Sequence, residues 1–322
     1  MHSVDLVEVV RSGFREGVHR GRVVLLGPDG NIQQALGDVH QPIFPRSSNK
    51  PLQALAMLRC GLELSTEDGD AELALACASH NGEPEHIERV LALLARHGLT
   101  EDDLGCPPDL PIHEPSREAL LRAGGSRRRV AMNCSGKHAA MLATCVQQGW
   151  PTRTYLDPEH PLQVAVRRTI EELAAEPVAA VAVDGCGAPL FAVSPVGLAR
   201  AFRALVLAEP GTLERRVADA MRANPYLVAG TGREDTELMR AVPGLLCKAG
   251  AEAVHAAALP DGSAVALKIE DGAQRGRLPV MVAALHALGV PRSPELDALA
   301  ESPVLGGGRP VGCVRLLPDV LH

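Results

Sequence analysis

The first part of the chain contains short runs in which apolar residues dominate or alternate with polar ones. VDLVEVV at 4–10 and GVHRGRVVLLG at 17–27 are typical of strands. Pro28-Asp29-Gly30 separates the second run from NIQQALGD at 31–38, and this sequence is typical of a turn. The pattern therefore predicts a meander or hairpin of strands at the start of the chain.

Further strands are predicted in the second half of the chain. VAAVAVDG at 178–185 has the composition of a buried strand, and GAPLFAVS at 187–194 reads as its partner. AEAVHAAALP and SAVALKIEDG flank Asp261-Gly262, a dipeptide that favours a β-hairpin. RPVGCVRLL predicts a final strand near the end of the chain.

Between the two groups of strands, apolar residues recur with the helical period. Helices are predicted to begin near Ser47 or Ser48 and to cover about 70–78, 84–98, 134–149, 158–176, 196–223 (two helices) and 275–289. A proline-rich loop, CPPDLPIHEP, interrupts them at 106–115. Strands at both ends with helices between them predict an α+β fold rather than a regular βαβ array. We expect one catalytic domain over 1–322, with room for a helical subdomain around 50–175.

Composition narrows the functional class. Hydrophobic residues make up 46% of the 322 residues, which is enough to bury a sizeable core. The net charge of -7 includes no basic block and aromatic residues are only 2%, so nucleic acid is not an expected partner. The first residues include Asp5 and no long apolar run, and no apolar stretch is long enough to span a bilayer. We therefore expect a cytoplasmic enzyme that does not associate with membranes.

Two residue types stand out. Only four of the 32 basic side chains are lysines: Lys50, Lys137, Lys248 and Lys268. A guanidinium stays charged in proteins, so a site that needs a deprotonatable amine requires lysine. The eight cysteines include no C-x-x-C pair and are expected to be free thiols, with Cys60, Cys77 and Cys145 inside apolar helical patterns.

The first candidate for chemistry is Ser47-Ser48-Asn49-Lys50 at the start of a predicted helix. Residues i and i+3 share a helix face, so Lys50 can reach Ser47 and act as the base that a serine nucleophile needs. The helix N-terminus offers free N–H groups that favour an oxyanion. The alternative is an N-cap serine followed by a surface lysine, and Ser48 is a rival for either role.

The second candidate is Ser79-His80-Asn81-Gly82, combined with a later lysine. Serine β-lactamases and penicillin-binding proteins use Ser-x-x-Lys, then Ser-x-Asn, then a lysine on a strand, in this order. Here Lys268 lies on a predicted strand but is followed by Ile269-Glu270, whereas the only Lys-x-Gly is Lys248-Ala249-Gly250. Spacing alone leaves the choice between these two lysines open.

The third candidate joins Asn133-Cys134-Ser135-Gly136-Lys137-His138 to Asp184-Gly185-Cys186-Gly187. Two thiolates, an amine or imidazole, and a water molecule can complete a tetrahedral zinc site. The alternative is that Cys134 and Cys186 are buried thiols beside tight glycine turns. Spacing alone favours the buried thiols.

Several of these segments resemble blocks of the asparaginase II family, the third class of L-asparaginases, typified by the inducible rhizobial enzyme. The resembling blocks occur in one order between about residues 40 and 275: RSSNKPLQALAML, SHNGEPEH, NCSGKHAAMLA, YLDPEHPLQ, DGCGAPLFAVS, GREDTELM, KAGAEAV and LKIEDG. Ser48-Asn49 is more polar than expected between the paired serine and lysine. The terminal strands extend the resemblance over essentially the whole chain.

The resemblance implies a serine β-lactamase-like fold, with a mostly antiparallel sheet and packed helices, and hydrolysis of L-asparagine to aspartate and ammonia. It implies two Ser–Lys tandems, matched by Ser47 with Lys50 and by Ser79 with Lys268 rather than Lys248. It further implies a homodimer. The zinc ligands that it implies are Cys134, Lys137 and Cys186, and the residues expected to bind substrate are Arg46, His80, His138 and Asp184.

Two rival interpretations remain. One is a different serine amidohydrolase on the same fold, such as a glutaminase or a peptidase. The other is a zinc-dependent binding protein in which the serines do no chemistry.

Overall fold

A computed structural model of the chain describes residues 3–300, 302–318 and 320–321. Within them, the strands are β1 (Val4–Arg11), β2 (Phe14–Leu26), β3 (Ile32–Leu36), β4 (Val181–Val183), β5 (Pro189–Phe191), β6 (Leu246–Ala249), β7 (Val254–Ala258), β8 (Ala264–Ile269), β9 (Ser302–Gly306) and β10 (Arg309–Leu316). Eight strands form one sheet in the order β6-β7-β8-β2-β1-β10-β9, with β3 also paired to β2. The two remaining strands, β4 and β5, form a separate ribbon.

Long-range antiparallel pairing builds the large sheet. The terminal strands β1 and β10 lie side by side, with Val9 opposite Val314. The second half of β2 is wholly buried because it pairs with β8 on one side and with β3 on the other. Gly21 permits the approach of β8, since a Cβ at this position would lie 2.4 Å from the carbonyl oxygen of Lys268.

The helices flank this sheet. They are α1 (Lys50–Arg59), α2 (Gly69–Ala76), α3 (Pro84–Arg96), α4 (Glu114–Arg122), α5 (Ser135–Gln147), α6 (Pro161–Ala174), α7 (Pro195–Leu207), α8 (Leu213–Ala223), α9 (Pro225–Val228), α10 (Glu234–Ala241), α11 (Arg277–Ala287) and α12 (Pro294–Ala300). Helix α7 packs on β2, β7 and β8, and α11 packs on β8 and β10. Helices α1, α2 and α5 pack on one another, which brings the start of α1, the end of α2 and the start of α5 towards one region.

The predicted α+β class, with a mostly antiparallel sheet and packed helices, is confirmed. The hairpin at Asp261-Gly262 is also confirmed, as the β7–β8 turn. The expectation of a buried strand at 178–185 is wrong, because β4 belongs to the two-stranded ribbon and Val183 is 75% exposed. The helix predicted to start near residue 158 begins as α6 at Pro161, and its N-cap is His160, whose side chain accepts the Leu162 N–H. Among the described residues, no helix is both long enough and apolar enough to cross a membrane.

Candidate active site

Ser47 lies in a single turn of 3-10 helix, Arg46–Asn49, that leads directly into α1. Pro51 suits the first turn of α1, because its missing N–H would have no helical acceptor there. Arg46, immediately before Ser47, has a left-handed backbone with φ 54°, a strained conformation of the kind found at functional sites. Ser47 lines a cavity of about 230 Å³ together with Ser79. Within the described part of the chain, Ser47 Oγ has no hydrogen-bond partner, so it is free to meet a ligand.

Ser48 is in a different environment from Ser47. Its side chain is completely buried, and its Oγ donates a hydrogen bond of 2.7 Å to the carbonyl oxygen of Pro45. The rival nucleophile therefore closes the turn that holds Ser47 and does not line the cavity.

Lys50 connects the two serine segments. Its ammonium group is buried and donates to the carbonyl oxygen of Ala78 and, at 2.9 Å, to Ser79 Oγ. Burial lowers the pKa of Lys50, and the neighbouring positive charges of Lys137 and Lys248 lower it further, against an opposing effect of the cysteine thiols. A lysine in this environment is poised to lose its proton and act as a base.

The segment that follows β6 supplies a main-chain donor to the same cavity. Gly250 passes so close to the Ser47 turn that a Cβ would lie 2.4 Å from the carbonyl oxygen of Pro45. The next residue, Ala251, lines the cavity, and its N–H has no acceptor among the described residues. The Ser47 N–H is likewise free within the described ranges. Two unpaired N–H groups beside a serine hydroxyl can bind the oxyanion of an acyl-transfer intermediate.

Lys248, on β6, belongs to a buried charged cluster beside this cavity. It is wholly buried, and its ammonium contacts the carboxylate of Asp235. Asp235 also accepts the Ala249 N–H at 2.8 Å, and His255 Nε2 lies 3.1 Å from its Oδ1. Burial alone would raise the pKa of Asp235, but the Lys248 ammonium and His255 together hold it below its ordinary value. The carboxylate is therefore ionised and fixes the lysine.

The structure does not form the predicted pair of Ser79 and Lys268. The Lys268 ammonium donates to main-chain carbonyl oxygens, including that of Glu252 at 2.8 Å. Its side chain lines a second cavity of about 490 Å³, with Arg46 and Glu270, and not the cavity of Ser47 and Ser79. The amine that contacts Ser79 is that of Lys50, at 2.9 Å.

The predicted metal ligands do come together. Lys137 Nζ lies 3.2 Å from Cys186 Sγ, and Cys134 is the N-cap of α5, whose first turn contains Lys137. A hydrogen bond from Cys134, followed by the positive charge of Lys137, lowers the pKa of the Cys186 thiol. His138 Nε2 is buried beside them; burial lowers the pKa of this imidazole, and its contact with Cys186 opposes that effect. Two thiols, an amine and an imidazole nitrogen form a donor set that suits zinc.

None of the four residues predicted to bind substrate lines the cavity of Ser47. His80 is buried, with Nε2 2.8 Å from Ser135 Oγ and Nδ1 accepting the Gly82 N–H, so both ring nitrogens are engaged. His138 Nδ1 bonds to the Tyr155 hydroxyl at 2.6 Å. Arg46 and Asp184 pair with each other at 2.7 Å, and Arg46 faces the second cavity.

The charged residues that line the Ser47 cavity are ones to which the sequence assigned no role. They are Arg233, Glu234 and Arg277, accompanied by the polar Asn133 and Gln274. The first two lie in the block GREDTELM, which the sequence marks as family-like without indicating what it does. The block starts two residues before α10 and continues into this helix, whose first turn is acidic.

Comparisons with known proteins give one family. The family model described as L-asparaginase II matches residues 7–316, nearly the whole chain. No curated protein sequence matches the chain significantly.

Solved structures are similar only at a low level. A β-lactamase (Mb2281c) from Mycobacterium bovis has a TM-score of 0.38 and 16% identity, covering 79% of this chain and 88% of its own. Mglu in its tris and glutamate form has a TM-score of 0.37 and 16% identity, covering 90% of this chain and 65% of its own. EstCE1, a hydrolase with promiscuous acyltransferase activity, has a TM-score of 0.39 and 12% identity, covering 78% of this chain and 88% of its own. Similarity this weak supports no functional conclusion.

Proposed function

Because the chain belongs to the L-asparaginase II family, a family of amidohydrolases, we propose that it hydrolyses the side-chain amide of L-asparagine to L-aspartate and ammonia. The observation that carries the proposal is the hydroxyl of Ser47, which has no hydrogen-bond partner in the described part of the chain. It lies in a small polar cavity that Ser79 also lines, and the buried amine of Lys50 contacts Ser79. A nucleophile, a base of lowered pKa and free N–H groups are the parts that acyl transfer needs.

In the proposed mechanism, Lys50 accepts the Ser47 proton while Ser47 Oγ attacks the amide carbon. The N–H groups of Ser47 and Ala251 stabilise the oxyanion of the tetrahedral intermediate. The proton then passes through Ser79 to the amide nitrogen, the C–N bond breaks, and ammonia leaves an aspartyl ester on Ser47. Water, deprotonated by the same groups in reverse, attacks the ester and releases aspartate.

We propose that Lys248, and not Lys268, is the second lysine of the active site. Its buried ammonium, fixed by Asp235, is one of the positive charges that lower the pKa of Lys50. Lys248 thus favours the neutral form of Lys50, which is the form that can accept the Ser47 proton.

Zinc remains part of the proposal, with Cys134, Lys137 and Cys186 as the residues that would hold it. When bound, the ion would supply Lewis-acid polarisation or order the wall of the site. The homodimer and the division into one domain with a helical subdomain also stay predictions.

The test is ammonia release from L-asparagine, with L-glutamine as the alternative amide. We expect the intact protein to release ammonia, and Ser47→Ala to lose at least about a thousandfold in kcat. Ser48→Ala is the matched control and should retain most of the activity, because Ser48 Oγ faces Pro45 and not the cavity. Full activity in Ser47→Ala would refute the mechanism, and release from glutamine alone would refute the substrate.

A further inference from the structure

The cavity of Ser47 carries charges of both signs, away from the reacting hydroxyls. Arg233, Glu234 and Arg277 line it, with Gln274 beside them. An amino-acid amide carries an α-carboxylate and an α-ammonium, and each loses its water of hydration on entering a cavity of about 230 Å³. Burial of these charges requires a partner of opposite sign for each.

Arg233 has the features of a carboxylate receptor. One guanidinium nitrogen, Nη1, donates to Asn81 Oδ1 at 3.1 Å and lies 3.4 Å from the carbonyl oxygen of Ser79. Nε and Nη2 have no hydrogen-bond acceptor, and no carboxylate pairs with this arginine, among the described residues. The side chain is therefore held beside Ser79 by one nitrogen, while the rest of its planar fork is free for two parallel bonds to a carboxylate.

Glu234 has the features of an ammonium receptor. Its Oε2 accepts from Arg277 Nε at 2.7 Å, whereas Oε1 has no partner within the described ranges. Arg277 is itself buried and donates to the carbonyl oxygen of Gly250 at 2.8 Å. The carboxylate is thus fixed to the same segment that presents the Ala251 N–H, with one oxygen left to accept from a ligand.

We propose that Arg233 binds the α-carboxylate and Glu234 the α-ammonium of the substrate, so that this consecutive pair selects amides of α-amino acids. The inference rests on the proposed function and deepens it by naming the residues that bind the two charged groups of the substrate. It also excludes the Arg46–Asp184 pair from substrate contact, because neither residue lines the Ser47 cavity and Arg46 lines the second cavity instead.

The test measures binding to the full chain carrying Ser47→Ala, so that it does not depend on turnover. The ligands are L-asparagine, succinamate, which lacks the ammonium, and 3-aminopropanamide, which lacks the carboxylate. With Glu234→Gln added, we expect the Kd of L-asparagine to rise about 10- to 100-fold and that of succinamate to change by less than about twofold. With Arg233→Gln added, asparagine and succinamate should both weaken, and 3-aminopropanamide should not.

Arg46→Gln is the matched control for Arg233→Gln, and any change that it causes in Kd should be the same for the three ligands. Equal changes for all three ligands in the Arg233 and Glu234 variants would overturn the inference, as would a ligand-selective loss in Arg46→Gln or no binding of L-asparagine. Ammonia release by the intact protein reports separately on the proposed function. If the protein hydrolyses L-asparagine but the variants change the Kd of all three ligands equally, only the inference is refuted. If the changes in Kd are ligand-selective but no ammonia is released, only the proposed function is refuted.

Discussion

Lys248→Met and Lys268→Met form a matched pair that compares a wholly buried lysine with a half-buried one. Lys248→Met leaves the Asp235 carboxylate buried without its ion-pair partner, which costs about 3–5 kcal/mol. For a chain of 322 residues the unfolding entropy is about 0.7 kcal/mol per kelvin, so Tm should fall by about 4–7 °C. Among the described residues, Lys268 donates only to main-chain carbonyls near the surface, and its replacement should lower Tm by about 1–2 °C.

Activity should separate the two lysines more sharply. The positive charge of Lys248 is one of the causes that lower the pKa of Lys50. Loss of that charge should therefore raise the pKa of Lys50 and reduce kcat/KM at neutral pH, because a smaller fraction of Lys50 is then neutral. The activity should return at higher pH. Lys268→Met should leave the pH profile unchanged.

The double variant Asp235→Asn with Lys248→Met separates stability from electrostatics. Replacing both charges removes the unpaired carboxylate, so much of the lost Tm should return. The acid limb of kcat/KM should stay displaced upward, though less than in Lys248→Met, where the negative charge remains. Thermal unfolding and pH–rate profiles measure the two effects. If the double variant recovers wild-type kcat/KM as well as Tm, Lys248 is only structural. If Lys268→Met loses more activity than Lys248→Met, the predicted pair of Ser79 and Lys268 is restored.

Three further outcomes follow from the same geometry. In the intact protein, kcat/KM should rise with pH through a limb below the ordinary lysine range, because the base is neutral Lys50 of lowered pKa; a limb only at that range would contradict this role. Cys186→Ser should hold much less zinc by elemental analysis than the matched Cys77→Ser, which removes a buried thiol outside the cluster; equal zinc content would exclude the site. His80→Gln should lower the free energy of unfolding by about 1–3 kcal/mol without raising the KM for asparagine, because its partner is the buried Ser135; an increased KM would return His80 to the substrate site.

Local signals predicted the elements whose geometry is decided locally. Asp261-Gly262 identified the β7–β8 hairpin, because a tight turn depends on the residues within it. The pairing of β1 with β10 joins opposite ends of the chain, and no local pattern specifies it. Val183 was expected to be buried because its run is apolar, but the sequence does not state which sheet a strand joins. The sequence pattern did not predict helix α10, because its first turn is acidic and the helix is too short to show a clear apolar periodicity.

The candidate site was predictable where chemistry is concentrated in short motifs. Ser47 and Ser79 line one cavity and Lys50 contacts Ser79, since both segments lie at helix ends that pack together. The predicted substrate residues and the residues that line the cavity differ for a physical reason. Arg46 and Asp184 flank motif residues in sequence but pair with each other outside the lining of the Ser47 cavity, whereas Arg233 and Glu234 reach this cavity from a turn that is distant in sequence.

The distribution of lysines explains why the choice between Lys248 and Lys268 could not be made from order along the chain. Lys50, Lys137 and Lys248 are almost completely buried, and each contacts a different partner: a serine, a thiol and a carboxylate. A guanidinium could replace none of them without remaining charged and bringing more donors than the partners can satisfy. Lys268 is the exception, since it reaches only carbonyl oxygens at the rim of another cavity. Burial separates Lys50, Lys137 and Lys248 from Lys268, and the charges of Lys137 and Lys248 act on Lys50. For Lys248 and Lys268 the difference follows from the places of β6 and β8 in the sheet, which motif order does not specify.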